Sequence, residues 1–344
     1  MASKIQKSCA VCGKPANSKC TGCKTDSISR HYCGAACQKN DWPTHKTACK
    51  AAQDMRLEKS LARVADIIQR GYYEFRQNTW DTPILKVEDR DDALVITDGV
   101  MLDKSKYFIS FPQHMVTSER TKAAMLCAWM CNEPLAFMHD LVTDLVKGLD
   151  IHVEEVCLGL GRIPRKISYN SPHGGSDHNW PNYFHEALRI TSSRSKKQWV
   201  IDISGAQYGI TRVFWTWGAY VDAYNVNVKK IMALGFNKAM IKDLSDISGN
   251  PSMSYGVVGV VAEHMNEASK KWAIEHNISL SDLLTMEEEE FRQAKDKLLQ
   301  NMSDAVRGFL KANKFDKEFQ AAKAYEYKYP GLSGRKCLQT TAKY

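Results

Sequence analysis

The chain has 344 residues, of which 44% are hydrophobic and 25% are charged, and its formal net charge is +8. This composition is typical of a globular protein long enough to bury its own core, and the chain contains no internal repeat or low-complexity segment. No stretch approaches the length and apolarity of a transmembrane helix. The first residues, MASKIQKS, contain no apolar run, so no signal peptide is predicted. We therefore expect an intracellular protein, nuclear or cytoplasmic, with reduced thiols.

Eight potential metal ligands lie between residues 9 and 49 with the spacing C-x2-C-x7-C-x2-C-x9-C-x3-C-x7-H-x3-C. They are Cys9, Cys12, Cys20, Cys23, Cys33, Cys37, His45 and Cys49. Reduced C-x2-C pairs usually bind metal, and zinc prefers four thiolate or imidazole ligands in a closed site. The sequence therefore predicts two structural zinc ions as cofactors, with no coordination position open to substrate. The spacing alone leaves open which four ligands share an ion.

The same segment resembles the MYND-type zinc finger, whose signature matches all eight positions over residues 9–49. The stretch HYCGAACQKNDWPTHKTAC, residues 31–49, is also similar to this family. The resemblance implies a cross-brace, with Cys9, Cys12, Cys33 and Cys37 on one ion and Cys20, Cys23, His45 and Cys49 on the other. A finger of about forty residues is too small for an extensive apolar core, so interleaved sites that join both halves of the chain are favoured.

Gln38 and Trp42 are four residues apart and would share one face of a helix. In the MYND family these positions help to line a groove for a proline-rich peptide, so the resemblance implies a protein or proline-rich peptide as partner. Residues 27–30 are predicted as a short strand whose exposed edge can accept such a peptide. In the alternative interpretation, Trp42 packs against its own finger as core.

Positive charge is concentrated at the N-terminus, because residues 1–50 carry nine Lys or Arg against two Asp, a formal +7. Seven zinc-bound thiolates and two Zn²⁺ ions would lower this charge to about +4. The basic residues are scattered along the segment, which argues against a nucleic-acid-binding surface and leaves a weak preference for acidic partners.

The rest of the chain is predicted as an α+β domain with a helical C-terminal part. A helical stripe predicts a connecting helix over 51–80. Strands are predicted at 93–97, 106–111, 151–158, 165–169, 183–191 and 198–204, helices on both sides of Pro134, an exposed loop at 171–181, and mainly helix from 251. The predicted division is a finger (1–50), the connecting helix (51–80), an α+β domain (81–250) and its helical part (251–344). No family is identified for residues 51–344.

Two enzyme hypotheses accompany the leading interpretation, which is a zinc-binding adaptor or regulator. His185 and Asp202 fall on successive predicted strands, and with a cysteine they would form the Cys-His-Asp arrangement of transglutaminase-like and papain-like hydrolases or transferases. Cys127, Cys131 and Cys157 are the candidate nucleophiles, the first two being assigned to one apolar helix. A lysine methyltransferase of the SET class is less favoured, because no Asn-His-x-Cys sequence occurs.

A further hypothesis is a labile metal or substrate site at His173, Asp177 and His178, near His185. A mobile polar loop is the simpler interpretation of these residues. The adaptor and the Cys-His-Asp enzyme can be distinguished by one observation, which is whether any of the three cysteines lies within hydrogen-bond reach of His185. The sequence leaves the oligomeric state open.

Overall fold

The computed structural model describes residues 7–23, 29–99, 106–171 and 174–344. The chain divides into two compact units, residues 1–62 and residues 63–344. An N-terminal finger with two Cys/His clusters, a mixed α+β region and a helical C-terminal part are all present, so the predicted fold class is confirmed. The fourfold division at residues 50, 80 and 250 stays a prediction.

The first unit is built on a minimal sheet and the start of a long helix. Strand β1 (Ser18–Lys19) pairs antiparallel with β2 (His31–Tyr32), and helix α1 (Ala35–Asn78) begins three residues after β2. The strand expected at 27–30 therefore begins at His31, while residues 27 and 28 lie outside the described residues. Helix α1 continues into the second unit, so the finger's helix and the predicted connecting helix form one element.

Two sheets form the centre of the second unit. The first is fully antiparallel, with strand order β10-β9-β8-β5-β11. Its members are β5 (Ile151–Leu160), β8 (His185–Ser192), β9 (Gln198–Ile201), β10 (Phe214–Thr216) and β11 (Val226–Ala233). The second sheet has the order β3-β4-β6-β7, and its β4–β6 pair is parallel. Its members are β3 (Ile84–Asp89), β4 (Ala93–Asp98), β6 (Lys166–Asn170) and β7 (Ser176–His178).

Ten α-helices are assigned within the described residues. After α1 come α2 (Glu119–Cys127), α3 (Glu133–Phe137), α4 (His139–Leu145), α5 (Trp217–Tyr224), α6 (Phe236–Ser245), α7 (Val258–Glu275), α8 (Glu288–Ala312), α9 (Asp316–Lys328) and α10 (Leu332–Thr341). Local chemistry explains several starts: Ser118 accepts a hydrogen bond from the Thr121 amide at 3.1 Å before α2, and three glutamates occupy the first turn of α8. Both arrangements satisfy or complement the free amides of a helix N-terminus.

Two predicted elements of the second unit differ in the structure. Residues 106–111 form no strand, because the Tyr107 and Phe111 side chains are used as core and the Ile109 amide makes an isolated bond to the carbonyl of Trp80. Within the loop expected at 171–181, residues 176–178 form β7 against β6. The aromatic residues of 106–111 therefore pack into the core without joining a strand ladder.

No helix among the described residues is long and apolar enough to cross a membrane.

Arg63 joins α1 to the segment before α8 within the second unit. Its guanidinium donates to the carbonyls of Leu284 and Met286 at 3.2 and 2.6 Å and lies 4.2 Å from the ring centre of Phe291. The Arg63 side chain is buried. Removing it would leave the buried Leu284 carbonyl and the half-buried Met286 carbonyl without this donor, which is more costly than losing an exposed ion pair.

We expect Arg63→Ala to lower the free energy of unfolding by about 2–3 kcal/mol, measured by urea denaturation. Arg70→Ala, on the same helix, removes an exposed pair with Asp66 and is the control. We expect it to change the unfolding free energy by about 0.5 kcal/mol or less. Equal losses in the two variants would contradict the assigned role of Arg63.

Candidate functional site: two metal centres and a Cys-His-Asp cluster

The finger brings its eight predicted ligands into two groups of four. Cys9, Cys12, Cys33 and Cys37 form one group, and Cys20, Cys23, His45 and Cys49 form the other. In each group the ligand atoms lie within 4.8 Å of one another. This is the interleaved grouping that the resemblance implies, with ligands from both sides of β2 in each group.

The first group has the dimensions of a tetrahedral thiolate site. Its sulfur–sulfur distances are 3.5 Å for Cys12–Cys33, 3.5 Å for Cys33–Cys37 and 3.8 Å for Cys37–Cys12. Four sulfurs at 2.3 Å from a zinc ion would be separated by roughly 3.8 Å. The donor set and its spacing therefore fit one structural zinc ion.

The second group is fully buried and includes the imidazole. The sulfurs of Cys20 and Cys49 are 3.7 Å apart, and Nε2 of His45 lies 3.2 Å from the Cys23 sulfur. Gln53 donates a hydrogen bond of 3.1 Å to the sulfur of Cys49, an outer contact of the kind that orients metal ligands. A Cβ atom at Gly22 would come within 2.8 Å of that sulfur, so glycine is needed there. These residues fit a second structural zinc ion.

Asp41 connects the finger's helix to its strand. It accepts a hydrogen bond from the hydroxyl of Tyr32 at 2.8 Å and pairs with Arg30. Burial opposes ionisation of Asp41, but the hydrogen bonds from Tyr32 and Arg30 outweigh it and lower its pKa. The carboxylate therefore stays charged and holds β2 against the start of α1, which carries three of the predicted ligands.

Trp42 is not part of the finger's core. Its side chain is 41% exposed, and its ring meets His45 only edge-on, with the ring centres 6.3 Å apart. Gln38 is half-buried one turn earlier on α1. An exposed indole beside a half-buried amide leaves this face available for a ligand.

The second unit contains a cluster of Cys131, His185 and Asp202. The Cys131 sulfur lies 3.6 Å from Nδ1 of His185, and Nε2 of the same ring lies 2.8 Å from Oδ1 of Asp202. The other oxygen of Asp202 accepts a hydrogen bond from the Tyr220 hydroxyl at 2.8 Å. Cys131 is thus within hydrogen-bond reach of His185, which is the observation that favours the enzyme hypothesis.

The register of the antiparallel sheet accounts for the His185–Asp202 pair. Leu188 of β8 lies opposite Ile201 of β9. Continuing that register places Asp202 opposite Ala187, so His185 is its diagonal neighbour on the same face. A Cβ at Gly205 would lie 2.3 Å from the Asp202 carboxylate, so the absence of a side chain at Gly205 makes room for it.

Only the thiol end of this cluster reaches the surface. His185 is 0% and Asp202 1% exposed, whereas Cys131 is half-buried. Burial alone would lower the pKa of His185, but the charge of Asp202 and the hydrogen bonds to Asp202 and Cys131 raise it to about 10. The raised pKa favours the protonated form of His185, whose positive charge is balanced by the Asp202 carboxylate at 2.8 Å.

The other two candidate cysteines lack this environment. Cys127 is fully buried at the end of α2, and burial raises its pKa far above the usual range. Cys157 lies on β5, where burial and then the charge of Glu186 raise its pKa to about 11. The assignment of Cys127 and Cys131 to one helix was wrong, because α2 ends at Cys127 and Cys131 follows in a turn. That turn includes Trp129 at a φ of +59°, a backbone conformation that bulky residues rarely adopt.

Gln207 is a site residue that no sequence pattern identified. It is buried on a short turn of helix after Asp202, and its Nε2 atom donates to the Cys131 sulfur at 3.2 Å. Its backbone carbonyl accepts a hydrogen bond of 2.7 Å from Asn179, which holds the segment in place. A lone Gln in a loop has no distinctive spacing, so only the fold shows its proximity to the thiol.

The expected labile site at 173–178 does not assemble in the described part of the chain. Asp177 accepts a hydrogen bond from the Tyr183 hydroxyl at 2.5 Å, and Nδ1 of His178 lies 2.8 Å from the Ser168 hydroxyl. His173 lies outside the described residues. Within them, groups of three or more potential ligands occur only in the finger.

We expect purified protein to contain two zinc ions per chain, measured by elemental analysis. Cys49→Ser should lose at least one ion, because it removes a buried ligand from a closed site. Cys337→Ser, which changes a cysteine on α10 outside both groups, should keep both ions. A single zinc ion in the unaltered protein, or full retention in Cys49→Ser, would contradict the two-site assignment.

Comparison with known proteins is consistent with the finger's geometry. The MYND finger family model matches residues 9–49. The chain is 34% identical over 76 residues to the SET domain and MYND-type zinc finger protein 6 of Schizosaccharomyces pombe, which is 22% of this chain and 15% of that protein. It is 42% identical over 65 residues to the Dauer abnormal formation protein 25 of Caenorhabditis elegans, 18% of this chain and 16% of that protein.

A match to the ubiquitin carboxyl-terminal hydrolase 19 of Arabidopsis thaliana, 51% identical over 43 residues, covers 12% of this chain and 6% of that protein. The chain thus spans less than one fifth of the length of each of these relatives. No solved structure matches it significantly. MYND fingers are zinc-binding protein-interaction modules, and the family match, the spacing and the two ligand clusters together identify residues 9–49 of this chain as a MYND finger.

Proposed function

We propose that the second unit catalyses acyl transfer through a covalent thioester on Cys131. The observation that carries this proposal is the 3.6 Å separation between the Cys131 sulfur and Nδ1 of His185, with Asp202 on the opposite ring nitrogen. Nucleophile, base and orienting carboxylate within hydrogen-bond reach are the geometric signature of nucleophilic catalysis. This proposal assigns a role to residues 63–344, which the sequence left without one, and it leaves the interaction role of the finger unchanged.

In the first half-reaction the Cys131 thiolate attacks the carbonyl carbon of an amide or ester. A carbon–sulfur bond forms, the bond to the leaving amine or alcohol breaks, and His185 gives its proton to the leaving group. Gln207 donates from a position beside the sulfur, where the oxyanion of the tetrahedral intermediate would develop. Asp202 holds the imidazole in orientation and stabilises its positive charge.

In the second half-reaction water or an amine attacks the thioester carbonyl. His185 takes the proton of the incoming nucleophile, and the carbon–sulfur bond breaks to restore the thiolate. Water gives a hydrolase and an amine gives a transferase. Free thiols are required throughout, which agrees with the expected nuclear or cytoplasmic setting.

We expect iodoacetamide to label Cys131 at least roughly tenfold faster than Cys127 or Cys157, because alkylation follows thiolate character and exposure. His185→Ala and Asp202→Asn should slow the labelling of Cys131, with folding checked by circular dichroism. Peptide mapping by mass spectrometry measures the rates. Equal rates at the three cysteines, or rapid labelling unaffected by His185→Ala, would reject the catalytic assignment.

Gln207 can be separated from thiol activation by using an acyl substrate. With 4-nitrophenyl acetate we expect a burst of nitrophenol and an acetyl group on Cys131. Gln207→Ala should slow this acylation by about 10²–10³-fold, the usual loss for one oxyanion donor. Iodoacetamide labelling should slow much less, because alkylation develops no oxyanion and loses only the hydrogen bond from Gln207 to the sulfur. Parallel losses in both reactions would show that Gln207 acts on the thiol or the fold and would reject its role as oxyanion donor.

We also propose that the finger binds a proline-rich peptide on the face formed by Gln38 and Trp42. The 41% exposure of Trp42 supports this face as a ligand surface and not as core. A proline-rich segment is already extended, so it loses little conformational entropy when its rings pack on an indole. In this arrangement the finger brings a protein partner or substrate to the chain, and nucleic acid is not expected as a partner.

We expect binding in the micromolar range, about −7 kcal/mol or weaker, in titrations of the full chain with proline-rich peptides. Trp42→Ala should abolish most of this affinity while both zinc ions stay bound, because Trp42 is not among the clustered ligands. Val11→Ala, which truncates another exposed apolar side chain of the finger, is the control. Loss of zinc in Trp42→Ala, or equal binding in both variants, would exclude the groove.

A further inference from the structure

A cavity of about 600 Å³ lies beside the turn that carries Cys131. Its wall includes Trp129 and Met130, the two residues immediately before the nucleophile, together with Trp80, Tyr169 and Asp98. This volume is in the range of sites for small ligands or a large side chain. The positive φ of Trp129 is a strained conformation that places this residue on the cavity wall, and such strain is concentrated at functional sites.

The wall is aromatic, which favours a cationic occupant. The rings of Trp129 and Tyr169 meet edge to face, with centres 5.0 Å apart and an angle of 90° between planes. Trp80 adds a further indole to the lining. The faces of such rings are negative and attract ammonium groups, most strongly where water is excluded.

Asp98, at the end of β4, supplies an uncompensated carboxylate. Its Oδ1 atom is buried and has no hydrogen-bond partner, and the Tyr169 hydroxyl hydrogen-bonds to the same carboxyl group. Among the described residues no Lys, Arg or His pairs with Asp98. Burial raises the pKa of this carboxyl, so a cation bound in the cavity would offset the cost of its ionisation.

Arg76 also lines the cavity, but its charge is already matched. It donates to Oδ1 of Asp81 and to the carbonyl of Thr79, each at 2.8 Å, and lies 4.7 Å from the ring centre of Trp80. Asp177, the remaining charged residue described in the lining, is negative. The unmatched charge facing the cavity is therefore negative.

We propose that this cavity binds an alkylammonium group, the side chain of a lysine or a free primary amine, and thereby selects the substrates of Cys131. The selection part rests on the proposed acyl transfer, whereas the binding part does not. If the bound group is a lysine side chain of the acyl donor, the cavity positions that donor's carbonyl group at the Cys131 thiol. If it is a free amine, the cavity holds the acceptor that attacks the thioester. The ligand chemistry is the same in both cases.

Binding is measured on the full chain carrying Cys131→Ala, by calorimetric titration with n-butylammonium chloride. We expect saturable binding, no comparable binding of n-butanol, and at least a tenfold weaker affinity in Asp98→Asn. Asp91→Asn removes an exposed carboxylate just before the same strand and should bind as the parent does. If Asp98→Asn does not fold, Trp129→Leu provides the second test and should also weaken binding.

Absence of saturable binding, unchanged affinity in Asp98→Asn, or preferential binding of butyrate would overturn the inference. Two kinetic experiments on the protein with intact Cys131 then show whether the ammonium group belongs to the acyl donor or to the acceptor. Preference for the 4-nitrophenyl ester of Nα-acetyl-lysine over that of norleucine, lost in Asp98→Asn, identifies the acyl donor. Faster deacylation with cadaverine, lost in the same variant, identifies the acceptor. Ammonium binding without any acylation of Cys131 would keep the cavity assignment and reject the proposed reaction.

Discussion

The buried contact between His185 and Asp202 is the constraint around which the second unit is organised. A carboxylate and an imidazole with essentially no exposure are stable only when each polar atom has a partner. The neighbours meet this demand: Tyr220 donates to the second carboxylate oxygen and Cys131 contacts the second ring nitrogen. Each partner comes from a different part of the chain, so the contact ties a sheet, a helix and a turn together.

The turn that carries Cys131 is held by a second network of hydrogen bonds. Asn132, next to Cys131, donates to the side chain of Asn237 at 2.8 Å. Glu155, fully buried on β5, accepts from the amide of Asn237 at 2.8 Å and from that of Gly235 at 2.7 Å, at the start of α6. A carboxylate at a helix N-terminus satisfies free amides and interacts favourably with the helix dipole. The side chains of Asn132, Asn237 and Glu155 thus connect the turn with Cys131 to strand β5.

The two units use cysteine for different chemistry. In the finger, all eight ligands are committed to two closed clusters, so the metal stabilises a small fold and offers no position to a substrate. In the second unit, Cys131 is half-buried, lies outside both metal clusters and contacts the imidazole of His185. The proposed function combines a protein-interaction module in the first unit, which recruits a partner, with a thiol in the second unit, which modifies that partner.

The sequence by itself determined the finger, because zinc ligation is a local pattern in which residue type and spacing specify the site. It also indicated His185 and Asp202 as a candidate pair, since they fall on successive predicted strands. It did not distinguish Cys131 from Cys127 and Cys157, because that choice depends on where α2 ends, on the exposure of each sulfur and on its distance from His185. The sequence did not predict the contact of Gln207 with Cys131, or the position of Asp98 in a cavity lined by aromatic residues, for the same reason. Their roles come from proximity between distant segments, and the cross-strand register and the break between α2 and α3 that create this proximity were decided only by the tertiary structure.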